Sequence, residues 1–341
     1  MHHAESARPE VAAPPGFEIR EATPRDRPAI EALIAEMIPG CDVAARWRWL
    51  YEASPAGPAL TWLAISPTGE VAGCTSFIPF RMWLDGHELR GALGGDGYVR
   101  PAFRRRGVGG LLHDASRRAM STHAIACMYG APGAMNVTPL ERGGSRRLGF
   151  VARYVRPVRP GPALLGAAIG VLTGLGPGPE LEPIAEYDPR IDHVWRLART
   201  ELTLAAVRDA AFYAWRFRQA PAQREPAFVI MDKGTPIGAC ALEMLHGERE
   251  LHVVDLVTVP GRWHAALRAI VRHAARCTRA RTVSIKLFVP DARRRHMWRS
   301  GFVERDAKPF LCMIPQAGDH RFLDPGRWFY TGADSDLDSL A

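Results

Sequence analysis

Lysine is scarce in this chain of 341 residues, and that scarcity limits what its charge can indicate. Only three of the 44 basic residues are lysines, and the formal charge is +8. Alanine, glycine and proline are abundant as well, so the arginine excess looks like a compositional bias rather than a surface built for a polyanion. We therefore expect no nucleic-acid partner. Hydrophobic residues make up 47% and charged residues 23%, which excludes a disordered, collagenous or coiled-coil protein.

Closely spaced cysteines are also missing. None of the six cysteines forms a CxxC pair, so we expect neither a structural zinc cluster, nor any other metal site, nor a redox motif. A chain of this length does not need a disulfide framework, and reduced, mostly buried thiols are expected.

A long apolar run is the third absence. The first 16 residues are polar and rich in proline and alanine, and they have no apolar core, so they predict a disordered tail rather than a signal peptide. The run at 163–175 is shorter than the ~20 residues of a membrane-spanning helix. We expect a cytoplasmic protein without an integral membrane span.

What the sequence does contain is an internal repeat. Trp47-Arg48-Trp49 followed by Pro55 matches Trp215-Arg216-Phe217 followed by Pro221. Each match precedes an apolar strand and a glycine turn, and the same order then continues. Asp96 lies five residues before Pro101, as Asp255 does before Pro260, and Gly149-Phe150 matches Gly301-Phe302. Four landmarks in one order indicate two copies of one fold, each of roughly 140 residues.

Periodicity and turn residues predict the elements of both copies. We predict strands at 17–21, 60–65, 71–84, 87–99, 124–129 and 150–158, then at 227–231, 237–245, 250–259, 282–288 and 302–313. We predict helices ending near 37, at 107–120, 138–148, 191–219, 262–277 and 291–300. The division is a tail at 1–16, a first domain at 17–158, a linker at 159–189, a second domain at 190–315 and an extension at 316–341, whose acidic end is expected to fray.

One segment carries a recognisable chemistry. After a predicted strand and Pro101, Arg104, Gly107 and Gly109 form the pattern Arg-x-x-Gly-x-Gly at the start of a helix. Glycines let a backbone approach a ligand closely, and the N–H groups of a first helical turn favour a phosphate or pyrophosphate. A Walker A loop is excluded because no Gly-Lys-Ser/Thr is present, and a dinucleotide loop is excluded because Leu112 stands where a third glycine belongs.

With this loop, the strand order and the Gly-Phe pair, the sequence resembles the GNAT acetyltransferase superfamily. The resemblance covers residues 17–158 and, in a degenerate form, about 190–315. It implies an α/β (α+β) protein of two GNAT-like lobes, each with a mixed, mostly antiparallel twisted sheet flanked by helices. In the second lobe, Gly261-Arg262-Trp263-His264 lacks the loop pattern, so that lobe is expected not to bind acyl-CoA.

The resemblance implies an N-acetyltransferase that moves an acetyl group from acetyl-CoA directly to the amine of a small molecule. The thioester carbonyl would lie between the strands that end at Val99 and Tyr129, polarised by backbone N–H groups near Tyr98. The residues expected to bind the cofactor are Tyr98, Val99, Arg100, Arg104, Arg105, Arg106, Gly107, Val108, Gly109, Gly110 and Asn136.

The sequence defines the general acid and the general base of the reaction less clearly than the cofactor-binding residues. Asp96 is the candidate base or water-positioning group, although its counterpart Asp255 allows a structural role. Many GNAT proteins carry a tyrosine acid four residues before the glycine of the Gly-Phe pair, where this chain has Ser145. Tyr98, Tyr129 and Glu141 are the substitutes, and a dedicated acid need not exist.

Three alternatives stay open at this point. The donor could be a longer acyl-CoA or an acyl carrier protein. The chain could instead be a non-catalytic CoA-binding sensor or assembly subunit.

His113-Asp114 is expected to be a solvated helix face, and the protein is expected to be a monomer or a homodimer.

Overall fold

A computed structural model describes residues 16–159, 178–221 and 226–335 of the chain. The first half contains strands β1 (Glu18–Glu21), β2 (Leu60–Ile65), β3 (Val71–Leu84), β4 (His87–Val99), β5 (Ile125–Gly130) and β6 (Arg146–Pro157). Its helices are α1 (Arg27–Met37), α2 (Val43–Arg46), α3 (Val108–Ala119) and α4 (Ala134–Arg142). Helix α2 continues into a π-helical turn, Trp47–Glu52.

The second half repeats most of this order. Its strands are β7 (Glu180–Pro183), β8 (Leu204–Ala206), β9 (Ala227–Asp232), β10 (Thr235–Leu245), β11 (Glu250–Thr258), β12 (Thr282–Phe288), β13 (Val303–Met313) and β14 (Trp328–Thr331). Its helices are α5 (Pro189–Ala198), α6 (Ala210–Tyr213), α7 (Trp263–Cys277) and α8 (Asp291–Arg299).

The predicted strands agree with the structure to within a few residues, because turn residues define their ends. Asp85 and Gly86, for example, both have positive φ (46° and 97°) and join β3 to β4 by the two-residue hairpin that this dipeptide predicts.

Three local predictions were wrong. The helix expected at 138–148 ends at Arg142, after which β6 begins at Arg146, so Gly149 and Phe150 lie inside a strand. The helical segment expected at 191–219 is interrupted by β8. The acidic end begins with a buried turn, because Asp334 is only 1% exposed. The expectations for residues 1–15, for the apolar run at 163–175 and for the acidic end after Ser335 lie outside the described residues.

Each half is a mixed sheet in which one strand pair is parallel. In the first half β1 to β4 pair antiparallel in sequence order, and β4 pairs parallel with β5 across the helix α3. In the second half β9, β10 and β11 pair antiparallel, and β11 pairs parallel with β12 across α7. The repeat inferred from sequence landmarks is therefore also a repeat of topology.

The last strands of the two halves are exchanged. Strand β13, from the second half, pairs with β5 of the first half, while β6 of the first half pairs with β12 of the second. The two exchanged strands also pair with each other. Because each half supplies a strand to the other, the two sheets form one hydrogen-bonded sheet. The domain boundaries expected from the sequence remain a prediction.

Strands β8 and β14 close the centre of this sheet into a ring. Strand β8 pairs with β3 and with β14, and β14 pairs with β12. The ring runs through β3, β4, β5, β13, β6, β12, β14 and β8. Aromatic side chains pack together where it closes: Tyr129, Phe310, Trp328 and Tyr330. This shared core holds the two halves as one packed unit.

None of the described helices is long and apolar enough to cross a membrane.

Candidate active site

The loop before α3 has the geometry of an anion-binding turn. Arg105 and Gly107 both have positive φ, 59° and 78°, and Gly107 is the N-cap of α3 without any side-chain cap. Two left-handed residues close together turn successive N–H groups toward one side, and the first turn of α3 adds further N–H groups and a positive helix end. The side chains of Arg104, Arg105 and Arg106 are exposed. The loop can therefore surround a phosphate with backbone donors and cations.

At three positions near this loop, neither the backbone conformation nor the contacts with other residues of the chain require glycine. Gly97, Gly109 and Gly110 all lack the positive φ that demands glycine. A Cβ at Gly110 would meet nothing within 4 Å, one at Gly109 would lie 4.0 Å from Val99, and one at Gly97 would lie 3.7 Å from Thr75. Glycine in a helix costs about 1 kcal/mol relative to alanine. These residues outline a surface that is kept clear of side chains, as a closely approaching ligand requires.

That surface leads into a fork between β4 and β5. The parallel pairing ends at Leu93 and Tyr129, beyond which β4 continues as far as Val99 with no strand on that edge among the described residues. The register with β3 shifts between Cys74 and Ser76, so β4 carries a bulge at Asp96, whose φ is +47°. An unpaired strand edge presents backbone N–H and C=O groups that are free to bond a ligand. The gap can hold an extended ligand that hydrogen-bonds to β4.

Asp96 lies at this bulge, but both of its carboxylate oxygens are engaged. Oδ1 accepts a hydrogen bond from Arg46 (2.7 Å), and Oδ2 accepts one from the Tyr51 hydroxyl (2.8 Å). All three side chains are buried. Burial and the nearby carboxylate raise the pKa of Tyr51, which keeps it a hydrogen-bond donor. The arrangement fits a group that fixes the bulge better than a free base.

The second half repeats this arrangement. Tyr213 donates to Oδ2 of Asp255 (2.9 Å), and Arg208 bonds to Oδ1 (3.4 Å). In both halves the arginine precedes the tyrosine by five residues, a signal that was present in the sequence and that the landmark comparison missed. Its presence in a half without the glycine loop supports a structural role for both carboxylates.

The fork of the second half is filled by the chain's own C-terminal segment. Parallel pairing of β11 with β12 ends at Val253 and Ile285, and β14 then pairs with Leu287 and Phe288. Thr331 donates to Asp255 (2.7 Å), and Asp334 forms an ion pair with the fully buried Arg208. No equivalent segment lies in the first fork among the described residues. The first fork is therefore the candidate site.

The structure does not bring the predicted acids and bases together. The Tyr129 hydroxyl is buried in the shared aromatic core with no hydrogen-bond partner in the described part of the chain, and burial raises its pKa. Glu141 pairs with Arg147 on the surface (2.9 Å). Asn136 is exposed on α4. Tyr98 is half-buried at the end of β4, with Arg104 stacked 5.5 Å from its ring centre.

Arg100 is half-buried, and its guanidinium is engaged by other residues of the chain. Its guanidinium bonds to Glu36 (2.8 Å), Glu70 (3.1 Å) and the carbonyl of Val71 (2.9 Å), which ties α1 to the start of β3. Glu36 raises the pKa of Arg100. Arg104, Arg105 and Arg106 are exposed and form no ion pair with the described residues; of these three, Arg104 donates to the carbonyl of Val99 (2.8 Å).

His113 is not a solvated surface residue. It packs under Gly143 at the end of α4, where any side chain at 143 would overlap its ring, and burial lowers its pKa. Ser145, expected from the Gly-Phe landmark to stand at the acid position, is buried immediately before β6, with a hydroxyl that has no partner in the ranges described. Since Gly149 lies inside β6, that landmark does not mark the helix–strand junction in the first half, whereas Gly301 does lie between α8 and β13 in the second.

The described residues contain no group of three or more His, Cys, Asp or Glu side chains that could hold a metal ion. Cys74, Cys127, Cys240 and Cys312 are buried free thiols, and burial raises the pKa of Cys74 to about 12.

No protein-family profile matches the sequence, and neither does any curated protein sequence. Solved structures do resemble it. A GCN5-related N-acetyltransferase from Anabaena variabilis superposes with a TM-score of 0.64 at 16% identity, covering 87% of this chain and 72% of its own. A protein of Enterococcus faecalis V583, described as a probable N-acyltransferase, gives 0.64 at 11% identity, covering 87% and 72%.

A GCN5-related N-acetyltransferase from Kribbella flavida gives a TM-score of 0.62 at 18% identity, covering 88% of this chain and 71% of its own. The chain therefore has the GNAT fold over most of its length, as its loop motif and strand order predict. At these identities the likeness establishes the fold and leaves the reaction to be argued from the site.

Proposed function

We propose that this protein is an N-acyltransferase that moves an acyl group from acyl-CoA, with acetyl-CoA as the simplest donor, to the amine of a small molecule. The observation that carries the proposal is the surface without side chains formed by Gly97, Gly109 and Gly110, which joins an anion-binding loop to an open strand fork. A pyrophosphate followed by a narrow extended arm is the shape that such a surface accommodates.

In the proposed complex, the pyrophosphate lies on the first turn of α3, with Arg105 and Arg106 beside it. The pantetheine arm extends along the free edge of β4 and hydrogen-bonds to its backbone. The thioester carbonyl reaches the bulge at Asp96, whose neighbouring N–H groups stabilise the negative charge that develops on the oxygen. Arg46 and Tyr51 hold the bulge in this conformation through Asp96.

The reaction is a direct transfer. The amine nitrogen attacks the thioester carbon, the new C–N bond forms, and the C–S bond breaks so that CoA leaves as a thiolate. The proton lost by the amine passes to solvent, because the Asp96 oxygens are already engaged. Tyr98 remains the candidate for protonating the thiolate, since it is half-buried at the open end of β4.

Calorimetry with acetyl-CoA tests the proposal. The wild-type protein is expected to bind one equivalent, and Gly109→Trp is expected to abolish binding, because the indole would occupy the surface above Val99. The matched control is His264→Trp, at the same place in α7 of the second half, which should leave the affinity unchanged.

Absence of binding to the wild-type protein, or equal binding by Gly109→Trp, would contradict the proposal. Binding without turnover across a broad panel of amines would instead favour a CoA-binding sensor.

A further inference from the structure

The branch point of the first fork is formed by two glycines. Gly94 is the first residue of β4 beyond the last β4–β5 pair, and Gly130 is its counterpart on β5. Neither has positive φ. Gly94 is exposed, and Gly130 is half-buried. The backbone conformation therefore does not require glycine at either position, yet both side chains that could close the branch point are missing.

The second half shows what the same positions contain when the fork is not a ligand site. Gly94 lies two residues before Asp96, and the residue two before Asp255 is Val253, which pairs in register with Ile285 at the place of Gly130. Both carry side chains, and the C-terminal segment occupies the space beyond them. Glycine at the branch point is therefore confined to the half that also has the glycine loop.

Methionines line the branch point. The Sδ atom of Met128 lies 3.0 Å from where a Cβ at Gly94 would be, and Met128 pairs in register with Met313 of the exchanged strand β13. Both belong to a buried apolar cluster with Phe77 and Ala92. Unbranched thioether side chains adapt to the shape of an apolar guest more easily than branched ones do. The wall beside the glycines is thus apolar and adjustable.

From these features we infer that the branch point at Gly94 and Gly130 is a pocket for the acyl chain, and that the preferred donor is a linear acyl-CoA longer than acetyl. This inference rests on the proposed function, in which the carbonyl lies at the Asp96 bulge and the acyl group points toward the branch point. Two residues of strand separate Asp96 from Gly94, about 7 Å. That distance exceeds an acetyl methyl and suits a chain of roughly four to six carbons.

Binding to a series of acyl-CoA thioesters tests the inference without depending on the acceptor. Acetyl-, butyryl- and hexanoyl-CoA are titrated into the wild-type protein by calorimetry, with hydrolysis of the thioester checked by mass spectrometry. Each added methylene that becomes buried is expected to tighten binding roughly fourfold. Hexanoyl-CoA should therefore bind at least tenfold more tightly than acetyl-CoA.

Gly94→Val is the decisive variant. Valine is a strong strand former, and its Cβ displaces only the flexible end of Met128, so the fold should be retained. The variant should lose about tenfold or more in affinity for hexanoyl-CoA while keeping its affinity for acetyl-CoA. Gly97→Ala, in the same strand but outside the branch point, is the matched control, and it should change the affinity for all donors by the same factor.

The outcomes separate the two proposals. If no acyl-CoA binds, the proposed function and this inference are both overturned. If acetyl-CoA binds and affinity is independent of chain length, or falls with it, only the acyl pocket is overturned. An equal effect of Gly94→Val on all donors also overturns the pocket, provided that thermal unfolding shows an intact fold. A Gly130→Val variant with the same chain-length selectivity would support it independently.

Discussion

Trp49 and Trp215 each donate their indole N–H to the other's backbone carbonyl, both at 2.8 Å, with ring centres 5.9 Å apart. The two residues lie on the π-helical turns that follow α2 and α6, so the contact joins equivalent parts of the two halves. Both side chains are 3% exposed. The reciprocal bond satisfies two buried carbonyls and two buried donors at once.

We expect Trp49→Phe and Trp215→Phe each to lower the free energy of unfolding by about 1–3 kcal/mol, because each leaves a buried carbonyl without its donor. The double variant should cost less than the sum of the two, since the residues share one contact. Denaturant unfolding measures all three. Trp298→Phe is the control, because Trp298 is 58% exposed, and its effect should stay within about 0.5 kcal/mol. Additive losses would contradict the shared contact.

The duplicated Arg–Asp–Tyr cluster gives a second test. Tyr51→Phe and Tyr213→Phe each remove one buried hydrogen bond to a carboxylate, which should cost about 1.5–3 kcal/mol of unfolding free energy in both halves. Only Tyr51→Phe should also weaken acyl-CoA binding, because only its partner Asp96 lies at the open fork. If Asp96 were a free base, Tyr51→Phe would shift the pH–rate profile. We expect that profile to keep its midpoint.

The sequence predicted the strands and the loop well, because these depend on local signals. Alternation, the Asp85-Gly86 turn and the Arg104–Gly109 spacing are properties of short segments. The exchange of β6 and β13 depends instead on whether each strand pairs with the last strand of its own half or with that of the other half. An antiparallel partner from either half would satisfy the same alternating pattern, so no local signal distinguishes them.

The site was predicted only in part for a related reason. A carboxylate in a strand near a fork is a reasonable base, and the sequence does not show that Arg46 and Tyr51, some fifty residues away, engage both of its oxygens. The five-residue spacing of arginine and tyrosine in both halves was the available signal. Similarly, Tyr129 lies at the end of β5 as expected, but its ring faces the core that the second half supplies.

Substituting Arg100 and substituting Arg106 are expected to have different effects on stability and on acetyl-CoA binding, although both residues lie near the loop. Arg100→Ala removes bonds to Glu36 and Glu70 and should mainly lower stability, by roughly 1 kcal/mol, because these carboxylates are partly exposed. Arg106→Ala should leave stability unchanged and weaken acetyl-CoA binding severalfold, more strongly at low salt. Melting temperature and calorimetry separate the two effects. The reverse pattern would place the phosphate at Arg100.

Asp26 should make the start of α1 sensitive to acid. Its carboxylate bonds to Arg20 (2.7 Å) and to the backbone N–H of Thr23 (2.7 Å), and these contacts, the arginine first, lower its pKa. A carboxyl with a lowered folded-state pKa stabilises the fold above its unfolded pKa near 4, and that contribution is lost as pH falls further. Asp26→Asn should therefore cost about 1 kcal/mol at pH 7, after allowance for the partly exposed arginine, and distinctly less near pH 2, where this contribution is partly lost. Denaturant unfolding at the two pH values measures the difference, and an equal loss at both would mean that the carboxylate charge contributes nothing.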